Sequence, residues 1–480
     1  MKDIVDRTPK CYIISESLCK ICRIMDEKGS YMLRVIERKL NNQIVYDLQL
    51  EQDNVTISKK TIKYQVADVN LEDNQYLFIY DSQMTPINDS FGFLNDFLCE
   101  KSVNTKYVYM NALKALYSFE AIIGVELSDF NPTDIRLLKD FLLGRCRQGE
   151  TIVFENLTER SDKTVNQYLG VYRQFLDYTG RENKYLTAKG NAKARYRSHV
   201  DGEFSVSQSY KSNVKTVIKE EVPRYISIED YTNIIRLIRE KYSLREECIV
   251  RLMYETGMRI GEVLGLTNED VIPQKLGNKY HNCVYIRNRV SDKRYQLAKT
   301  TIKPASIKEY HSKKYNTINA GYQMVFITDE LYELLGQYID YVHDEARKDH
   351  AKRYQNSTIA DSVCSNPDNF YIFINAYGSR LSNITWNKTL RSIYEEIGIQ
   401  VDEKIRDNNL SHRFRHGFAM FQIQERHMDA VQLAKMLRHK SVSSVMKYYR
   451  PTISDKIRIK EEYTEDLYSL IPELKENSYA

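Results

Sequence analysis

Long apolar runs are missing from this chain. Nowhere in its 480 residues do hydrophobic side chains approach the ~20 in succession that a membrane span requires. The first ten residues, MKDIVDRTPK, are charged where a secretory signal would be apolar, so a soluble cytoplasmic protein is expected. Internal repeats are absent as well. Cysteine is sparse: eight residues, at 11, 19, 22, 99, 146, 248, 283 and 364, read as reduced thiols and not as a disulfide framework. Cys19 and Cys22, with Cys11 upstream, have the spacing of half a zinc site, but no second pair follows at finger distance. No metal site is therefore expected. A large charge of one sign is also lacking, since 70 basic against 65 acidic residues leave only +5. That balance is compatible with a nucleic-acid partner without demanding one, because distribution matters more than the sum. The 42% hydrophobic fraction includes 37 amphipathic Tyr, so the strictly apolar share lies below the ~45–50% norm. Several modest cores are expected, in about three domains at roughly 150 residues each.

Residues 1–87 mix β-prone runs (43–50, 76–80) with charged turns, which predicts an α+β or arm-type module. From Ser90 the period becomes helical: Phe91, Leu94, Phe97 and Leu98, then Tyr109, Leu113, Leu116, Tyr117 and Ile123. Asn131-Pro-Thr-Asp and Ser161-Asp-Lys-Thr are helix starts, the second leading to an apolar face of Val165, Leu169, Tyr172 and Phe175 that ends at Gly180. A helical domain over 88–183 follows. Residues 184–222 lose periodicity and are rich in Lys and Arg, as expected of a basic linker, either a solvated hinge or a strap across a phosphate backbone. Over 223–463 helices return at Tyr231–Ile238 and Ile249–Met253. Strands are expected at 284–289 and 324–328, separated by more chain than a hairpin needs. Residues 464–480 are expected as a tail, and Tyr463, Leu467, Leu470 and Ile471 give the segment after Thr452 a short apolar face, either for docking on a neighbouring protomer or for an ordinary intramolecular helix.

Four local patterns in the C-terminal half carry chemistry. Thr256-Gly-Met-Arg-Ile-Gly-Glu places Arg259 and Glu262 at i, i+3, where the carboxylate braces the guanidinium. An exposed ion pair at that spacing would contribute well under ~1 kcal/mol. Ser411-His-Arg-Phe-Arg-His puts His412 and Arg415 one turn apart, able to reach one oxygen cluster, with Arg413 and His416 expected to point elsewhere. Leu437-Arg-His439 and Tyr448, nine residues on, complete the set. Taken in order, these boxes resemble the tyrosine recombinase (phage integrase) family, over residues 88–463. Its pattern is met by Thr256, Gly257, Arg259, Glu262 and Leu266, by His412 and Arg415, and by Leu437, His439 and Tyr448. Arg438 stands where that family usually has Gly, a departure expected to touch no catalytic group.

The resemblance implies a mainly α fold with small β elements, an α+β catalytic domain and a helical, SAM-like core-binding domain forming a C-shaped clamp on double-stranded DNA. It implies site-specific DNA cleavage and rejoining through a covalent 3′-phosphotyrosine, for a mobile element. Tyr448 would be the nucleophile, with Tyr449 as the alternative. Arg259 and Arg415 would sit on the phosphate oxygens. His412 would accept or orient a proton, His439 would contact the phosphate, and Glu262 would support Arg259. A hairpin Lys completes the set. Lys299 is chosen over Lys293 and Lys303, because Ala298-Lys-Thr-Thr resembles the element that precedes the second strand. Thr164, Lys193, Arg195 and Arg197 are expected at DNA. No cofactor or metal is implied. Partners would be a homotetramer in synapsis, a monomer or dimer off DNA, an accessory DNA-bending or directionality factor, and no membrane. A type IB topoisomerase and a non-catalytic DNA-binding protein of the same fold are the alternatives.

Overall fold

In the computed structural model the described residues are 31–41, 43–53, 55–71, 74–145, 151–156, 158–196, 204–216, 222–343, 371–401 and 410–475. The Cys11, Cys19 and Cys22 group and Arg197 lie outside them. Among the described residues no helix is long and apolar enough to cross a membrane. The chain divides into two compact units, Met1–Ile218 and Lys219–Ala480.

The first unit opens with five strands: β1 (Tyr31–Leu40), β2 (Gln43–Gln52), β3 (Val55–Ile62), β4 (Gln65–Leu71) and β5 (Asn74–Tyr80). Helices α1 (Val103–Ile123), α2 (Pro132–Leu143) and α3 (Asp162–Thr179) follow, with β6 (Ile152–Glu155) between the last two. Their ends are set by local chemistry. Asn131 caps α2 by accepting from the Thr133 and Asp134 amides, Pro132 occupies the first helical position, and Gly144 closes the helix at φ 69°. Strand β6 pairs in parallel with β1, Leu33 opposite Ile152 and Ile36 opposite Glu155, giving the sheet order β3-β2-β1-β6. Leu33, Val35, Tyr46 and Leu48 thereby join Leu113, Phe119, Phe141, Phe154 and Tyr172 in one core. The boundary expected at 87/88 runs through that core.

The segment expected as a basic linker, 184–222, holds regular structure among its described residues. A helical turn (Lys184–Thr187) leads into an antiparallel hairpin, β7 (Lys189–Tyr196) with β8 (Phe204–Tyr210). The segment is tied down because α3 offers it partners. Arg173 donates to the Leu186 carbonyl at 2.9 Å and to Ser212 and Asn213 at 2.7 Å, and its guanidinium lies 3.8 Å from the Tyr210 ring centre.

The second unit begins with α4 (Ile228–Lys241), α5 (Leu244–Thr256) and the short α6 (Ile260–Leu264). A three-stranded antiparallel sheet follows, β9 (Val271–Leu276), β10 (Lys279–Arg287) and β11 (Tyr322–Phe326), in the order β11-β10-β9. The long connection from β10 to β11 is ordered by polar contacts. The Asn288 amide donates to Ala298 and Thr301, and the fully buried Arg289 pairs with Glu269 and Asp270. Helices α7 (Asp329–Tyr338), α8 (Asn383–Glu396), α9 (His412–Gln424), α10 (Ala430–Met436) and α11 (Ile453–Leu470) complete the unit. Trp386, the single tryptophan, fills the centre of the core and donates to Ser411 at 2.9 Å, seating the start of α9.

Candidate active site

Helix α5 stops at Gly257 because the chain turns there at φ 65°, and a Cβ at that position would come within 2.7 Å of the Phe418 ring on α9. This turn delivers Arg259 to the start of α6. Glu262 accepts from the Arg259 amide at 2.9 Å and from its guanidinium at 2.7 Å, fixing the side chain at both ends. Glu262 is fully enclosed, so this is not the exposed pair whose contribution would be slight.

Arg415, on α9 and 2% exposed, donates to the carbonyls of Gly257 and Leu437. One guanidinium thus joins the turn that carries Arg259 to the end of α10. Burial and the neighbouring Arg259 pull Arg415 down to about 9, opposed by Glu262; it stays cationic at neutral pH.

Beyond α10 the backbone reverses at Arg438, whose φ is 54°. Glycine enters such a conformation at little cost and arginine does not. Its guanidinium reaches Glu262 at 2.8 Å, so Glu262 is shared by two arginines. Arg438, expected to touch no catalytic group, thus contacts the carboxylate that supports Arg259. Burial raises the Glu262 pKa, but Arg438, Arg259 and Arg415 outweigh it and hold the group at about 2. Removing one partner of a buried charge cluster commonly costs ~3–5 kcal/mol. Glu262→Ala is expected to lower the stability of this unit by an amount of that order in denaturant titration.

His439 follows Arg438, with its Nδ1 buried and without a hydrogen-bond partner among the described residues. Tyr448 lies in a 3-10 turn (Met446–Tyr449), 2% exposed, with its Oη 2.7 Å from Nδ1 of His416. Burial pushes the Tyr448 pKa up to about 12, against the pull of Arg415 and Arg259, whose charges therefore act on the phenol oxygen. Tyr449 turns away and donates to the Met428 carbonyl at 2.7 Å.

His416 was expected to point elsewhere, and this too is corrected. Four residues on a helix make slightly more than one turn, so His412 and His416 share a face, their rings 15° from parallel with centroids 6.0 Å apart. The i, i+4 spacing was the available signal. Arg413 does point away, donating to Gln400 at 2.9 Å. Three imidazoles in a cationic setting are held neutral. Burial, then Arg415 and Arg259, bring His412 to about 4. Burial and Lys447 bring His416 to about 3, and burial with Arg415 brings His439 to about 4. Each has its folded pKa below the ordinary 6.5. The unfolded chain therefore binds more protons between these values. Stability is fully present above pH 6.5 and is lost as the pH falls towards 4 and below. Thermal melts across this window are expected to show the decline, and His412→Asn to make it shallower.

Of the three lysines on the β10–β11 connection, Lys299 is exposed in a turn, and its charge acts on His412. Lys293 faces Arg380 and Lys303 instead, and Lys303 donates to the Asp292 carbonyl at 3.4 Å. Away from this site, Thr164 lies in the first turn of α3, where its amide and hydroxyl both meet Ser161. Lys193 and Arg195 are on β7. Among the described residues no group of three or more His, Cys, Asp or Glu side chains is placed to hold a metal ion.

The site thus gathers a buried phenol, two arginines, a third guanidinium on a shared carboxylate and three neutral imidazoles, on a helical unit with one small sheet among the described residues. The profile of the Phage integrase family matches residues 224–454. Transposase A from transposon Tn554 of Staphylococcus aureus is 34% identical over 182 residues, 36% of this chain and 47% of that protein. The chain thus spans about half the length of the curated relatives it matches. Among solved structures, the XerA recombinase covers 79% of this chain and 98% of its own at 17% identity (TM-score 0.31). The Tn1549 transposon integrase with circular intermediate DNA covers 77% and 97% at 12% identity (TM-score 0.45). A lambda integrase dimer on a core site covers 75% and 76% at 11% identity (TM-score 0.44).

Proposed function

We propose that this protein cleaves and rejoins DNA at specific sites, as the recombinase of a mobile element, through a 3′-phosphotyrosine intermediate. The observation that carries the reading is the convergence of Arg259, Arg415 and Arg438 on Glu262 and the Gly257 and Leu437 carbonyls, on the same helical unit as Tyr448, whose hydroxyl meets His416 of α9 at 2.7 Å. A phosphodiester under attack gathers charge on its non-bridging oxygens, and preorganised cations offset it. Arg259 and Arg415 take that role. Their fork geometry suits the two oxygens, and their charge persists at neutral pH. Tyr448 attacks phosphorus and keeps the phosphoryl group as an ester, so the bond energy needed for rejoining is conserved. His412 orients the phosphate and its proton traffic. His439, whose Nδ1 is buried and without a partner among the described residues, offers its imidazole to a phosphate oxygen. Lys299 gives a proton to the leaving 5′-oxygen. Thr164, Lys193 and Arg195 are assigned to the DNA backbone.

We assign the working state to a tetramer on two duplexes. Helix α11 leaves Ile459, Tyr463 and Leu470 between 52% and 80% exposed on one side, an apolar face suited to a neighbouring protomer. The test is a nicked suicide duplex built from the joined ends of the encoding element. Covalent adduct at one position supports the reading. Relaxation of any supercoiled plasmid without a site requirement would indicate a type IB topoisomerase, and binding without adduct a non-catalytic protein.

A further inference from the structure

The contact that the family pattern does not explain is the one between His416 and Tyr448. The Tyr448 hydroxyl is buried, and Nδ1 of His416 lies 2.7 Å from it, with the two rings 57° apart. A buried hydroxyl finds an acceptor for its hydrogen, and a neutral imidazole protonated at Nε2 offers one at Nδ1. The groups that face His416 are the cations Lys447 and Arg415, with the imidazoles of His412 and His439, which add repulsion only when protonated. In the resting site they oppose a second proton on the ring. A phosphate entering between Arg259 and Arg415 brings negative charge into the same space, which offsets them and raises the proton affinity of the imidazole.

We propose that His416 is a catalytic residue of this site, holding the Tyr448 hydroxyl hydrogen at rest and taking that proton as the oxygen attacks phosphorus. The inference rests on the phosphotyrosine reading above. In the forward step the Oη–H bond breaks, its proton passes to Nδ1, Oη bonds to phosphorus, and the bond from phosphorus to the 5′-oxygen breaks. The 5′-oxygen leaves with a proton from Lys299. In rejoining, the 5′-hydroxyl returns its proton to Lys299 and attacks phosphorus. Oη then leaves with the proton held on His416, so the cycle is balanced. Substrate binding and deprotonation are coupled: the nucleophile is activated only where a phosphate is present.

The test uses the full chain and the duplex of joined ends in two forms, one ordinary and one with sulfur replacing the bridging 5′-oxygen at the cleavage position mapped with the unaltered protein. A thiolate leaves without a proton. Lys299→Ala should therefore be slow on the ordinary duplex and recover on the sulfur duplex. His416→Ala should be slowed by ~10²–10⁴ on both, the span expected for loss of a proton acceptor. Added imidazole should restore part of that rate, more so for more basic imidazoles, while DNA affinity stays unchanged. His416→Asn, which keeps a polar atom near Nδ1 without a base, should remain slow. His416→Ala within threefold of the unaltered rate, indifference to imidazole, or full activity of His416→Asn would each overturn the proposal. Failure of the unaltered protein to form adduct on either duplex would instead remove the phosphotyrosine reading itself. Should the variants not fold, nitrogen-15 spectra of the histidine-labelled protein serve: the Nδ1 signal of His416 should report an acceptor and shift in Tyr448→Phe. A donor signal at Nδ1 would overturn the proposal.

Discussion

Tyr448→Phe is expected to bind its DNA with nearly unchanged affinity and to form no covalent adduct. The substitution removes one oxygen from a side chain that is 2% exposed, so the ring still fills its place beside His416. What is lost structurally is one hydrogen bond, leaving Nδ1 of His416 unmatched at a cost of about 1–3 kcal/mol. What is lost chemically is the nucleophile. Denaturing gels of end-labelled suicide duplex distinguish the two, since binding and adduct are read separately. Adduct persisting in the variant would move the nucleophile to Tyr449, whose hydroxyl is engaged with the Met428 carbonyl and would first have to leave it.

The second large effect concerns Arg415. Arg415→Ala should slow cleavage by ~10²–10³, the loss that follows removal of a single donor from a developing oxyanion. A loss below tenfold would remove the assigned role. The side chain also joins the Gly257 and Leu437 carbonyls, so truncation leaves both without their donor and lowers stability as well. The rate is therefore measured per bound complex, at a temperature where circular dichroism shows both proteins folded. Arg415→Lys separates charge from geometry. It keeps a cation but cannot span the two carbonyls, and an intermediate rate is expected.

Much of this site was legible because its parts sit at helix boundaries, where spacing and residue type are informative. Arg259 and Glu262 at i, i+3, and His412 and Arg415 one turn apart, meet in space as their spacing requires. His416 escaped because the box was read as a pair, although its i, i+4 relation to His412 places both on one face. Arg438 escaped for a different reason. Its contact with Glu262 crosses from one helix end to another, and no local pattern encodes such a distance. The hairpin of β7 and β8 was hidden by composition. Lys189-Gly-Asn-Ala-Lys-Ala-Arg-Tyr alternates small with basic residues, so its period of two carries almost no hydrophobic signal. The pairing of β6 with β1 joins positions 33 and 152, beyond the reach of any window.

That pairing bears on how the molecule can be shortened. Cutting before residue 88 would remove all five strands, and with them Leu33, Val35, Tyr46 and Leu48, and expose the rings of Phe119, Phe141 and Phe154 to water. The helical segment that resembles a self-sufficient DNA-binding module is thus expected to aggregate when expressed alone.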